Sequence, residues 1–210
     1  MIDVLPEVLY KHHSPLSEVS KDKDVSLIVD NFEVVDFDKV KDDYRPSLNS
    51  NDGLYFTWKS YEGCRLYFIE FKNGYVNSKE NKELFDKIYD SVNILSDIVC
   101  RENFEVMQKN PIEYLKTSGC YILVYNSKND PEGEHMTEET EKGLRRQGFF
   151  RGFAAYAGKL AKREPVYFGL DIFRGYLFRN VHTYTAEQFT EKFLERWKSY
   201  KTQKSSSPAT

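Results

Sequence analysis

The clearest hydrophobic pattern in the chain lies between residues 54 and 72. Residues 54–58 (LYFTW) predict a strand rich in aromatic side chains, residues 60–63 (SYEG) a hairpin turn, and residues 65–72 (RLYFIEFK) a second strand. In this second strand both alternating faces begin apolar. Leu66 and Phe68 point one way, and Tyr67, Ile69 and Phe71 the other. A strand apolar on both faces is usually central and covered on both sides. The pattern breaks at its end, where Glu70 and Lys72 fall on the Leu66/Phe68 face. Charge there costs on the order of several kcal/mol of desolvation unless it is paired, hydrated or metal-bound.

Asn73-Gly74 ends the strand, and the spacing predicts a helix over residues 79–99. Leu84, Phe85, Ile88, Tyr89, Val92, Leu95 and Ile98 recur there at steps of three or four. A shorter helical stretch fits residues 102–109, and Pro111 suits the first position of another helix. Residues 120–125 (CYILVY) read as a buried strand and residues 126–134 as a polar loop. Residues 137–162 read as helical, although Gly143, Gly148, Gly152 and Gly158 each cost about 1 kcal/mol against alanine. Residues 166–173 and 176–183 predict two strands about a turn at Arg174-Gly175.

Thr185-Ala186-Glu187-Gln188 is a capping-box signature that opens a last helix bearing Phe189, Phe193, Trp197 and Tyr200. Residues 201–210 are polar and are expected to form a disordered tail. The first fifty residues are acidic and irregular. Within them, residues 25–29 (VSLIV) and 32–37 (FEVVDF) suit short strands or parts of a helix, and periodicity does not decide. The order strand, strand, helix, strand, helix, strand, strand, helix predicts an α/β fold. Its centre would be a mixed β-sheet flanked by helices, in one domain over residues 1–200.

Composition narrows the function classes. A chain of 210 residues is long enough for one well-buried core. A formal net charge of −3 gives no global sign of a nucleic-acid partner, but it leaves room for a local one. No run approaches the ~20 apolar residues that span a bilayer, and no basic start precedes an apolar stretch, so neither membrane nor secretion is expected. Cys64, Cys100 and Cys120 show no CxxC or Cys/His spacing. Free thiols in a reducing, cytoplasmic compartment follow, with no structural zinc.

The residues that carry chemistry are Asp52, Glu70 and Lys72. Asp52 stands at the mouth of the first hairpin strand, eighteen positions before Glu70. Neighbouring strands lie under ~5 Å apart, so two carboxylates at matching levels can hold one hard cation. Magnesium suits such oxygen ligands, with manganese as a substitute, and the Phe71 carbonyl is a further donor. Lys72 shares Glu70's face, where it can orient a water or offset charge on a phosphate. Asp36, Asp38 and Asp43 rival Asp52 for its place, and Glu18 and Glu33 are further candidate acids to complete the site.

Asp52 followed by Glu70-Phe71-Lys72 on a hydrophobic strand, then a helix and a buried strand, resembles the PD-(D/E)xK nuclease superfamily over residues 50–126. That superfamily includes restriction endonucleases, junction resolvases and many defence nucleases. The resemblance implies a restriction-endonuclease-like fold and a metal-dependent phosphodiesterase. Asp52 and Glu70 would be ligands and Lys72 the catalytic lysine. Asn51 stands where the family has its eponymous proline. A Glu-x-Lys triplet alone is cheap, since Glu80-Asn81-Lys82 repeats it inside the predicted helix.

A basic segment strengthens the nucleic-acid reading. Lys142, Arg145, Arg146, Arg151, Lys159, Lys162 and Arg163 fall within residues 142–163 with no acid among them. Such a strip suits a phosphate track, DNA before RNA. Phe149, Phe150, Phe153 and Tyr156 are interleaved at helical spacing, which fits core better than base stacking. Lys79 and Lys82 could also reach a phosphate, although a solvated helix face explains them as well. His12-His13, His135 and His182 lack partners at metal spacing. There is no phosphate-cradling glycine loop, no Gly-x-Ser-x-Gly elbow and no dinucleotide fingerprint.

Two functions from different classes follow. One is a magnesium-dependent DNA nuclease of bacterial defence, mobile-element or toxin biology; cutting both strands would suit a homodimer, though no segment marks an interface. The other is a catalytically inactive binding protein in an immunity, anti-defence or adaptor role. It would use the acids Asp36, Asp38, Asp42 and Asp43 toward a protein partner.

Overall fold

Residues 6–76, 78–102, 107, 110–128, 164 and 166–205 are described in the computed structural model. The first segment holds α1 (Glu7–Tyr10), β1 (His13–Pro15), α2 (Leu16–Val19), β2 (Lys21–Asp22), β3 (Val25–Ser26), β4 (Glu33–Asp36) and α3 (Phe37–Tyr44). The hairpin follows as β5 (Gly53–Tyr61) and β6 (Cys64–Lys72), then α4 (Ser78–Arg101), α5 (Pro111–Ser118) and β7 (Gly119–Tyr125). The chain ends in β8 (Asn180–Thr185), α6 (Ala186–Phe189), a π-helical stretch (Thr190–Leu194) and α7 (Glu195–Ser205).

Six strands form one mixed sheet in the order β1-β4-β5-β6-β7-β8, and β2 pairs with β3 in a separate small hairpin. Pairing is antiparallel from β1 through β6 and parallel from β6 through β8. The switch at β6 follows from connection length: the β5–β6 turn is tight, whereas β6 reaches β7 only through α4 and α5. Glu62 (φ 53°) and Gly63 (φ 79°) both have positive φ, as the right-handed twist of a tight hairpin favours.

The two apolar faces of β6 are both covered. Leu66 and Phe68 join Leu84, Ile88 and Leu95 of α4 in one core, together with Phe37 and Val40 of α3. Tyr67, Ile69 and Phe71 join Phe189, Phe193 and Trp197 of the C-terminal helical segment in the other. β7 divides in the same way, Tyr121, Leu123 and Tyr125 to the first core and Cys120, Ile122 and Val124 to the second. The expected α/β architecture, a mixed central sheet flanked by helices, is therefore observed.

Caps fix the helix starts. Asn110 accepts from the Glu113 amide ahead of Pro111, and Thr185 and Gln188 complete the expected capping box. Gly119 lets α5 pass directly into β7, since a Cβ at that position would lie 2.7 Å from the Leu115 carbonyl oxygen.

Several expectations are corrected. Residues 166–173 are not a strand: Phe168 and Gly169 both have positive φ, and Leu170–Phe173 form a 3₁₀ turn. The apolar residues there still bury, but through a compact turn on the first core. The strand expected over residues 176–183 begins only at Asn180. The last helix continues to Ser205, so residues 201–205 are not a disordered tail. Of residues 25–29, only Val25–Ser26 is strand, and α3 was not anticipated. The helix expected over residues 137–162 lies outside the described residues, as does most of that expected over 102–109.

Candidate active site

Register brings the predicted acids together. The β5–β6 ladder pairs Gly53 with Ile69, so one step further sets Asp52 opposite Glu70. Asp52 is held in place from two sides. Its carbonyl accepts from the Phe37 amide at 3.0 Å, and its Oδ2 accepts from the Phe71 amide at 2.6 Å. Phe71 thus contributes an N–H to the site.

Between the two carboxylates stands Lys87 of α4. Its Nζ donates to Glu70 Oε1 at 2.8 Å and to Asp52 Oδ1 at 3.2 Å. Glu70 is fully buried, while Asp52 and Lys87 are partly open, at 15 % and 23 % side-chain exposure. The other Glu70 oxygen, Oε2, accepts from Asn51 Nδ2 at 3.2 Å. Asn51 is itself buried, and its amide N–H donates to Ser91 Oγ of α4 at 2.7 Å. The position where the resembled family has proline therefore supplies a donor to the central glutamate.

Lys72 lies on the same face, its Nζ 3.6 Å from Glu70 Oε1 and 3.7 Å from Glu80 Oε2. Glu80, of the second Glu-x-Lys triplet, thus braces Lys72 from the start of α4. Asp52, Phe71, Lys72, Glu80 and Asp38 line a cavity of about 380 Å³, and the β2–β3 hairpin walls it with Lys21, Asp22 and Lys23.

Electrostatics follow from this crowding. Burial, and then the neighbouring Glu70 carboxylate, push Asp52 up to about 8, against the pull of Lys87 and the Phe71 amide. Burial alone would draw Lys87 down, but Glu70 and Asp52 outweigh it and hold the ammonium well above its usual range. Burial likewise raises the Tyr121 phenol, whose oxygen lies 3.5 Å from Asn51 Nδ2.

The rival acids separate cleanly. Asp36 caps α3 by accepting from the Lys39 amide, and Asp43 pairs with Lys11 and His12 at the surface. Glu33 pairs with Lys201, and Glu18 is exposed. Only Asp38 of these joins the cavity, where its Oδ1 accepts from Ser50 Oγ at 2.5 Å. Asp42 pairs with its neighbour Lys41.

Lys82 is exposed on α4. The side chain of Lys79, and all of Lys142, Arg145, Arg146, Arg151, Lys159, Lys162 and Arg163, lie outside the described residues. His182 lies on β8, its Nδ1 2.9 Å from the Tyr184 hydroxyl and its Nε2 3.4 Å from Glu62 Oε2. Cys64 and Cys120 are buried free thiols, and Cys100 is an exposed one. Among the described residues no helix is long and apolar enough to cross a membrane, and no cluster of three or more His, Cys, Asp or Glu is spaced for a metal ion.

Lys87, Asn51 and Ser91 were not anticipated. One signal was available for two of them. Leu84, Lys87, Ile88, Ser91, Val92 and Leu95 follow the same steps of three and four, so Lys87 and Ser91 sit inside the apolar stripe of α4. A lysine in a buried stripe announces a buried acid opposite it. Comparison of the chain with protein-family models, with curated proteins and with solved structures found no match in any of the three.

Proposed function

We propose that the chain is a metal-dependent nuclease of restriction-endonuclease-like type, hydrolysing phosphodiester bonds of DNA in preference to RNA. One observation carries this reading: the carboxylates of Asp52 and Glu70, from adjacent strands, converge on a single cationic centre beside Lys72 at the wall of a cavity. The cation there is the Lys87 ammonium, and positive charge held between the pair supports the reading. Two carboxylates on adjacent strands form a hard-oxygen pair of the kind that suits magnesium or manganese.

Asp52 and Glu70 would hold the ion, with the Phe71 carbonyl as a further donor. Bound there, it would act as a Lewis acid and lower the pKa of a bound water. The chain's own residues do the rest. Lys72, braced between Glu70 and Glu80, presents its ammonium where charge builds on a phosphate oxygen. Asn51 and Ser91 keep Glu70 in one orientation. The basic run of residues 142–163 suits a nucleic-acid track in sequence terms.

The test is to incubate the purified protein with plasmid, linear and single-stranded DNA, in Mg²⁺, in Mn²⁺ and in chelator. Cleavage should require metal and disappear in Glu70→Ala. Cleavage that never appears, or persists unchanged in that variant, defeats the reading.

A second reading is favoured by the same lysine. Glu70, Asp52 and Lys87 satisfy one another, as a site that has exchanged its metal for a permanent ion pair would do. The chain would then be an inactive nuclease-fold binding protein in an immunity, anti-defence or adaptor role. A stoichiometric protein partner on purification, with no heat of metal binding, would select it.

A further inference from the structure

We propose that Lys87 is a displaceable internal cation: it neutralises Asp52 and Glu70 in the metal-free protein and yields its place when a divalent ion binds. The inference rests on the nuclease reading and concerns how that site is loaded. Three observations support it.

The first is position. Nζ of Lys87 touches one oxygen of each carboxylate, which is where a bridging ion would have to lie. Ammonium and divalent ion cannot both occupy that point.

The second is charge. A divalent ion and the Lys87 ammonium drawn to the same two carboxylates would repel each other, and beside the fully buried Glu70 that repulsion is little screened. Lys72 is tied to Glu80 as well as Glu70, whereas both of the carboxylates Lys87 touches are the ones the ion would take.

The third is an exit. The Lys87 side chain is 23 % exposed and not sealed in. Asp38 on the cavity wall is near enough to act on its charge. A lysine stem has four rotatable bonds, so the ammonium can move toward the cavity and re-pair there while its backbone stays in α4. Displaced in this way, it would stand beside Lys72 and face whatever phosphate entered.

Calorimetry with Mn²⁺ and Mg²⁺ on the wild-type protein and on Lys87→Met supplies one arm of the test. Without its internal competitor the variant should bind metal about tenfold or more tightly, the scale of a lost charge-assisted hydrogen bond. Should the variant fold poorly, a second arm uses the wild-type protein alone. Reductive methylation of lysine amines, read by mass spectrometry, should label Lys87 several-fold more in Mn²⁺ than in chelator, with the exposed Lys82 as the unchanged control. Metal heat in the wild type with Lys87 labelling unaltered overturns this proposal and leaves the nuclease reading standing. Absence of metal heat in both proteins overturns the two together.

Discussion

Asn51 Nδ2 lies 3.2 Å from Glu70 Oε2, and both side chains are buried. The amide thus gives Glu70 a donor on the side that Lys87 does not reach. Asn51→Ala should leave that carboxylate oxygen buried without a partner and lower stability by about 1–3 kcal/mol in urea denaturation. Asn51→Asp should cost more, because it brings like charge against Glu70. Unchanged midpoints in both variants would show that the contact carries no energy.

The state of Asp52 makes stability depend on pH. Its pKa is raised in the fold to about 8, against an ordinary value of about 4 in the unfolded chain. The folded protein therefore keeps a proton that the unfolded chain releases. This contribution is fully present below about pH 4 and declines as pH rises to about 8, where it is lost. Asp52→Asn removes the titration, so wild type should lose stability relative to that variant between about pH 4 and pH 8. Denaturation curves of the two proteins at pH 5 and pH 8.5 measure the difference, and parallel curves would refute the assignment.

Glu70 and Lys87 should behave as a coupled pair. Lys87→Met leaves a buried carboxylate short of its main counter-charge, a change that typically costs about 3–5 kcal/mol. Adding Glu70→Gln removes the stranded charge, so the double variant should be more stable than the sum of the single losses implies. A double-mutant cycle in guanidinium should give a coupling of about 1–3 kcal/mol. A coupling near zero would place the ion pair outside the energetics of the fold.

A test far from the site concerns the α5–β7 junction. Alanine at Gly119 would bring its Cβ to 2.7 Å from the Leu115 carbonyl oxygen, which belongs to the backbone and cannot rotate away. Gly119→Ala should cost about 1–3 kcal/mol by overpacking, seen as a lowered Tm.

Much of the fold was legible because pattern and geometry coincide. The two-faced apolar run of β6 implied a central strand, and the structure covers both of its faces. The stripe on α4 and the capping box at Thr185 were read for the same reason. Residues 166–173 misled because their apolar side chains bury from a turn, where positive φ at Phe168 and Gly169 breaks any strand. The short elements before residue 45 carry too few residues for periodicity to accumulate.

At the site, the sequence left Asp52 as one of several acids that could face Glu70, and the β5–β6 register sets Asp52 there. It did not supply Lys87, because a contact across 17 positions between a strand and a helix leaves no local pattern. Nor could it reveal Asn51, which looked like a missing proline and serves as a donor.

The bridge between Lys87 and the sheet also fastens α4 to β6. On the nuclease reading proposed above, the same three side chains would serve as a structural clasp and as the groups that load and hold the metal. Exchanging the whole cluster for apolar residues (Asp52→Leu, Glu70→Leu and Lys87→Met) belongs to a class of change that is often neutral or stabilising. A more heat-resistant chain would then be easy to select and would have no chemistry left, so resistance to heat and turnover would trade against each other at this one point.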